Sequence, residues 1–189
     1  MQVAAIILAG GNSSRMGEDK GLLELNGTPM IGHVINTLKG ITDDILIVSN
    51  NEAYQQFGLP VYSDIIPNKG PIGGIYTGLL KSNSEVNIVI SCDSPFVTTS
   101  FLNKLIAESD GQEVTISSYN DRVHPTIGIY RRCIKSTIKQ QIDSNEFKLM
   151  KTIEKLQHQI IPFSSAHKDI DPIIFSNINT QQDLLKYQK

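Results

Sequence analysis

The run Val3-Ala4-Ala5-Ile6-Ile7-Leu8 passes directly into Ala9-Gly10-Gly11-Asn12-Ser13-Ser14-Arg15-Met16-Gly17-Glu18-Asp19-Lys20. A short, continuous apolar run that stops at two glycines reads as a buried strand entering a tight loop. The glycines let backbone N–H groups close on a ligand. Arg15 and Lys20 add fixed positive charge, which suits a triphosphate or a departing pyrophosphate. No Gly-Lys-Ser/Thr follows at P-loop spacing, and the Gly-x-Gly-x-x-Gly dinucleotide fingerprint is absent. A lone Gly-Gly would favour an ordinary strand-to-helix turn with surface charges. The whole stretch favours a phosphate site.

Working outward, Ile45–Val48 and Ile88–Ile90 are further continuous apolar strands, and Val61-Tyr62 is a short one. Between them, Pro29–Lys39 has helical spacing, with Thr28 as its cap and Pro29 in the first helical position. A second helix is expected from about Gly73 to Leu80, entered through Gly70-Pro71, and a third is capped by Thr99. Strands at Val114–Ser118 and Thr126–Tyr130, helices near 134–142 and 149–156, and a capping sequence at Thr180–Asp183 complete the reading. Strand and helix alternate for the first hundred or so residues, and the strands are apolar throughout. That pattern predicts a three-layer α/β/α sandwich with a mostly parallel central sheet covered on both faces. Such sheets bind ligands beyond the carboxyl ends of their strands. Gly10-Gly11, Asp64 and Asp93 each follow a predicted strand, so one rim would gather them.

The chain has 189 residues, 40% of them apolar, which suits one domain over residues 1–189. Only 19% are charged and the net charge is −2, so composition supplies no footprint for nucleic acid or an anionic membrane. Cys92 and Cys133 lack disulfide or metal-ligand spacing and read as small buried hydrophobes. His33, His158 and His167 form no metal set. The first residues lack a basic region before their apolar stretch and do not read as a signal peptide. A cytoplasmic protein is expected.

Leu-Ala-Gly-Gly-x-Ser-x-Arg-Met-Gly-x-x-Lys resembles the opening signature of nucleotidyltransferases with a glycosyltransferase-A-like fold. Further segments narrow the resemblance to the molybdenum cofactor guanylyltransferase family. They are Lys20–Leu25, Gly70–Ile75, Cys92–Phe96, His124–Gly128 and Phe175–Thr180. The likeness runs from Ile6 to Leu184. It implies transfer of GMP from GTP to molybdopterin with release of pyrophosphate, and a GTP-binding accessory protein and molybdoenzymes as partners. It departs from the family at Gln181-Gln182, where relatives often carry Pro followed by an acid.

The resemblance also assigns residues. Leu8, Ala9, Gly10 and Gly11 hold the nucleotide through the loop, while Arg15, Lys20 and Asp93 carry catalysis. Asp93 holds Mg2+, which takes one or two carboxylates and completes its shell with water and phosphate. As a rival reading, an Asp before Ser-Pro is a turn former. Asp64 and Asn50 are matched to nucleotide contacts, with a solvated loop carboxylate as the alternative for Asp64 and a register uncertain by a residue or two for Asn50. Asn177 and Asn179 alternate along an extended segment and would point to one side. There they recognise the pterin, or else cap the last helix. Gly10 is the residue of guanylyl-transferring members, whose cytidylyl-transferring relatives tend to carry Ala. Phosphate attack on phosphate needs no general base, so His124 is read as structural or substrate-lining. A cytidylyltransferase and a non-catalytic nucleotide-binding module are the rival functions.

Overall fold

A computed structural model describes residues 2–10, 19–167 and 170–188. In chain order the elements are β1 (Val3–Leu8), β2 (Glu24–Leu25), β3 (Thr28–Pro29), α1 (Met30–Lys39), β4 (Ile45–Val48), β5 (Val61–Tyr62), α2 (Pro71–Lys81) and β6 (Val86–Ser91). They continue with α3 (Thr99–Ala107), β7 (Val114–Tyr119), β8 (Arg122–Arg131), α4 (Lys135–Asp143), α5 (Leu149–Ile153), β9 (His158–Phe163) and α6 (Gln181–Tyr187). Seven strands form one sheet in the order β5-β4-β1-β6-β8-β7-β9, while β2 and β3 make a separate hairpin. β1 pairs in parallel with β4 and β6, with Leu8 opposite Val48 and Ser91. β8 is the reversed strand, antiparallel to both β6 and β7. The predicted α/β sandwich with a mostly parallel sheet is what the chain forms.

Alternation along each strand divides the core in two. Ala5, Ile7, Ile45 and Ile47 pack under α1 and α3, against Ile31, Val34, Leu38, Phe101 and Leu105. Ile6, Leu8, Leu46 and Val48 face α2, α4 and α5 through Ile72, Ile75, Leu79, Ile138 and Ile153. Both faces are covered, so the central strands are apolar on both sides. The chain leaves β1 toward the β4 edge and leaves β6 toward β7. Their carboxyl ends therefore flank a topological switch point.

Four local expectations differ. Thr28 does not cap α1. Asn26 and Gly27 both take positive φ (53° and 78°), closing a tight hairpin in which Leu25 opposes Thr28, and Pro29 holds the cap position of α1. That Asn-Gly pair is a strong hairpin signal, and it outweighs Thr as a cap. Thr98, not Thr99, caps α3, accepting a hydrogen bond from Phe101 N at 3.3 Å; Thr99 instead donates to Thr37 O at 3.0 Å. β9, which the sequence reading left unassigned, pairs in parallel with β7 at the sheet edge and is only half-buried along most of its length. Cys133 is exposed, in the turn after β8 where Ile134 takes the buried position. No described helix is long and apolar enough to cross a membrane.

Candidate active site

A cleft of about 590 Å³ opens at the carboxyl ends of β1, β4 and β6. Its lining includes Leu8, Ala9, Gly10, Asn50, Asp64 and Gly74. Parallel β1 and β4 set the floor, because Ala9 N continues the ladder to Val48 O at 2.9 Å. Among the described residues nothing requires glycine at position 10. Its φ is not positive, and among the described residues a Cβ built there would meet nothing within 4 Å. The missing side chain leaves open space at this part of the cleft lining.

The opposite wall is α2, entered at Gly70 with φ 63° and ψ −154°, a conformation open essentially to glycine alone. Gly74 brings α2 close to Leu8: an added Cβ would stand 3.1 Å from Leu8 Cδ2. Asp64 sits beside this contact. Among the described residues its buried Oδ1 has no hydrogen-bond partner, and burial pushes its carboxyl above the ordinary aspartate range. Asn50 supports it through Oδ1, which accepts from Asp64 N at 3.0 Å. An unsatisfied buried acceptor costs free energy unless something else donates to it. Asp64 itself belongs to the cleft lining.

Of the remaining described candidates none belongs to the lining, but Lys20 directly follows the lining residue Asp19 and Asp93 stands two positions after the lining residue Ser91. Lys20 Nζ donates to Asn179 Oδ1 at 2.9 Å, and Asn177 Nδ2 donates to Asp93 Oδ1 at 3.3 Å. Ile178, between the two asparagines, is fully buried, and its N–H donates to Asp93 O at 3.0 Å. The extended segment thus turns both asparagines to one side, against the cation and the acid. Thr180 and Asp183 form a reciprocal capping box on α6, and the Asn179 backbone N–H also donates to Asp183 Oδ2 at 3.2 Å. The side chains of Asn177 and Asn179 bond to Asp93 and Lys20 instead of to the helix end. Gly11 and Arg15 lie outside the described residues.

Can Asp93 hold a divalent cation? Asp93 Oδ1 receives Asn177 and a long contact from Ser94 Oγ, while among the described residues nothing donates to Oδ2. Asn177 Oδ1, on the amide that donates to Asp93, is buried and has no partner among the described residues. Two hard oxygens left unpaired suit a cation that draws its other ligands from phosphate and water. Among the described residues no three His, Cys, Asp or Glu gather into a closed metal site.

His124 is buried, opposite Ser117 on β7, with its ring 5.1 Å from that of Phe175. Burial, with Arg122 nearby, lowers its pKa and favours the neutral ring. That is a packed wall residue. The sequence reading assigned no role to Asp19 or Tyr54 and reached Asn51 only through the uncertain register at Asn50; the fold joins the three. Asp19 accepts from Gly21 N at 3.2 Å, from Asn51 Nδ2 at 2.9 Å and from the Tyr54 hydroxyl. An Asp just before a short helical turn was the available signal for Asp19. Tyr54 gave none.

Residues 5–160 match the family model described as the MobA-like NTP transferase domain. A Flavobacterium johnsoniae protein named probable molybdenum cofactor guanylyltransferase is 34% identical over 183 residues, covering 96% of this chain and 94% of its own. A Serratia proteamaculans protein named molybdenum cofactor guanylyltransferase is 31% identical, covering 100% and 95%. Among solved structures, molybdopterin-guanine dinucleotide biosynthesis protein A from Archaeoglobus fulgidus has the same fold. It aligns with a TM-score of 0.79 at 22% identity, covering 98% of this chain and 96% of that one.

Proposed function

We propose a reaction for this chain from one premise: it belongs to the MobA-like NTP transferase family. The chain is a nucleotidyltransferase that moves GMP from GTP to molybdopterin and releases pyrophosphate, as the names of its relatives indicate for them. One observation carries the reading. A cleft whose lining includes Gly10, Asp19 and Ser91 is joined through those chain segments to the Lys20–Asn179 and Asp93–Asn177 pairs, since Lys20 follows Asp19 directly and Asp93 follows Ser91 by two positions.

In this arrangement the base lies on Leu8, Ala9 and Gly10. The Asp64 carboxylate, in the cleft lining, would accept from the ring N–H and amino groups of guanine. The terminal phosphate of the acceptor, already ionised near neutrality, attacks the α-phosphorus of GTP. The bond from that phosphorus to the bridging oxygen breaks, and its electron pair leaves with pyrophosphate. No proton need be removed, so His124 has no acid–base task. Lys20 meets the charge that grows on the leaving oxygens, and the outlying Arg15 is assigned the same sign of help. Asn177 and Asn179 face the acceptor. Asp93 and Asn177 would hold a divalent cation, magnesium, which neutralises phosphate charge when bound. Delivery by a GTP-binding accessory protein and hand-over to molybdoenzymes complete the proposal.

The test is pyrophosphate release from GTP or CTP with magnesium, with and without molybdopterin. Release that needs both GTP and the acceptor supports the reading. Equal rates with CTP would make the chain a cytidylyltransferase, and no release at all would leave a nucleotide-binding module.

A further inference from the structure

Asp19 adjoins Lys20, yet three neutral donors and not that cation occupy its carboxylate. Among the described residues Lys20 forms no ion pair, and its ammonium donates to the Asn179 amide instead. A charge shared with an amide oxygen stays available to a phosphate; a charge paired with an acid does not.

The donors come from a rigid quarter of the molecule. Tyr54 is fully buried in the turn Glu52–Phe57 between β4 and β5, and burial pushes its phenol upward, so it remains a proton donor. Asn51 caps that turn, its Oδ1 accepting from Ala53 N at 3.0 Å while its Nδ2 reaches Asp19. Gly21, next after Lys20, lies flush on this layer. A Cβ there would collide with the Tyr54 hydroxyl oxygen and stand 3.0 Å from Cys92 Sγ. Cys92 in turn is tied to β1 through Leu8 O at 3.0 Å and directly precedes Asp93. The place of Lys20 is thereby set by the β4–β5 connection and by the end of β6. An acid suits this position better than an amide. With Asn51 Oδ1 already engaged, the Asn51 amino group needs an acceptor opposite it, and only a carboxylate offers acceptors on both oxygens.

We propose that Asp19, held by Tyr54 and Asn51, is a positioning residue that fixes the Lys20 ammonium where the leaving pyrophosphate forms. The proposal rests on the reading of Lys20 as the cation at the leaving group. Tyr54→Phe tests it best, because Tyr54 does not line the cleft and the change removes one oxygen from a preserved ring. Binding of inorganic pyrophosphate with magnesium is measured by calorimetry for wild type, Tyr54→Phe, Asp19→Asn, Lys20→Ala and the Tyr54→Phe/Lys20→Ala double variant. Tyr54→Phe and Asp19→Asn each weaken binding about tenfold, the scale of one well-placed hydrogen bond. In the Lys20→Ala background Tyr54→Phe adds less than about twofold, because the residue it positions has gone. In turnover both single variants lower kcat and leave KM for GTP within about twofold.

Equal losses from Tyr54→Phe in both backgrounds would show a general structural effect and overturn the assignment. So would folded Tyr54→Phe and Asp19→Asn proteins that bind pyrophosphate like wild type. Asp19→Asn stands in if Tyr54→Phe does not fold. Pyrophosphate binding needs neither the base nor the acceptor. A wild-type protein that binds pyrophosphate through Lys20 but does not turn over GTP with molybdopterin would sink guanylyl transfer alone. Absence of Lys20-dependent binding in wild type would sink the positioning role.

Discussion

Lys20 and Asn179 stand 159 positions apart, and the ammonium of the first donates to the amide oxygen of the second across 2.9 Å. One partner follows the glycine-rich loop, and the other belongs to the extended segment before α6. The cation beside the cleft is therefore presented by the C-terminal segment as well as by its own loop. Lys20→Ala should lower turnover with GTP by on the order of a hundredfold, since a charge contact made at the transition state is removed. Asn179→Ala leaves the ammonium in place but unanchored, and should cost about tenfold in kcat. Steady-state assays on both variants check the order; equal activity of wild type and Lys20→Ala would remove the lysine from the mechanism.

Gly10→Ala separates ligand from protein. Among the described residues no atom lies within 4 Å of the added methyl, so thermal unfolding should be unchanged. GTP affinity should fall by about tenfold or more as the methyl enters the space for the base, with CTP affected less. Calorimetric titration of both nucleotides measures this, and equal losses for the two would contradict a purine-sized floor.

Asp64 predicts a dependence on pH in the ligand-free protein. Its folded pKa is raised above the unfolded value by burial. The unfolded chain loses this proton first as pH rises, so the native state is penalised above the unfolded pKa near 4. Asp64→Asn, which cannot ionise, should raise the melting temperature at pH 7 and lose most of that gain near pH 4. It should also weaken GTP. Differential scanning fluorimetry at the two pH values decides, and a gain of equal size at both would rule out ionisation as the cause.

Gly78 lies where α2 crosses β1, and a Cβ there would stand 2.9 Å from Ile6 Cδ1, closer still to Cγ2. Ile6 is fully buried and has no room to retreat. Gly78→Ala should destabilise by about 1–3 kcal/mol through overpacking. Chemical denaturation measures the cost; wild-type stability would mean that the helix and strand part easily.

Thr180 and Asp183 hold the start of α6, whose Leu184 packs with Leu25, Met30 and Ile178 in a small third core. Thr180→Ala should cost about 1 kcal/mol as a lost cap. It should raise KM for the acceptor more than for GTP, because the segment carrying Asn177 and Asn179 loosens. Equal changes in both KM values would argue against an acceptor role for that segment.

Much of this was legible in the residues because it is local. Continuous apolar runs such as Val3–Leu8 and Ile45–Val48 can be buried only on both faces, which fixes a parallel sheet covered by helices. Gly10-Gly11 at a strand end, with Lys20 and Asp93 near strand ends, marks the rim where ligands gather. β9 escaped notice because a half-buried edge strand lacks a continuous apolar run, and Thr28 misled because Asn26-Gly27 turns the chain before a cap can form. Tertiary structure alone decided the rest. It chose which amide meets Lys20, left Asp64 Oδ1 and Asn177 Oδ1 without donors among the described residues, and drew Tyr54 under Asp19. The physical reason is range. Strand and turn preferences act over a few residues, whereas side-chain hydrogen bonds join whatever the packed sheet brings within about 3 Å.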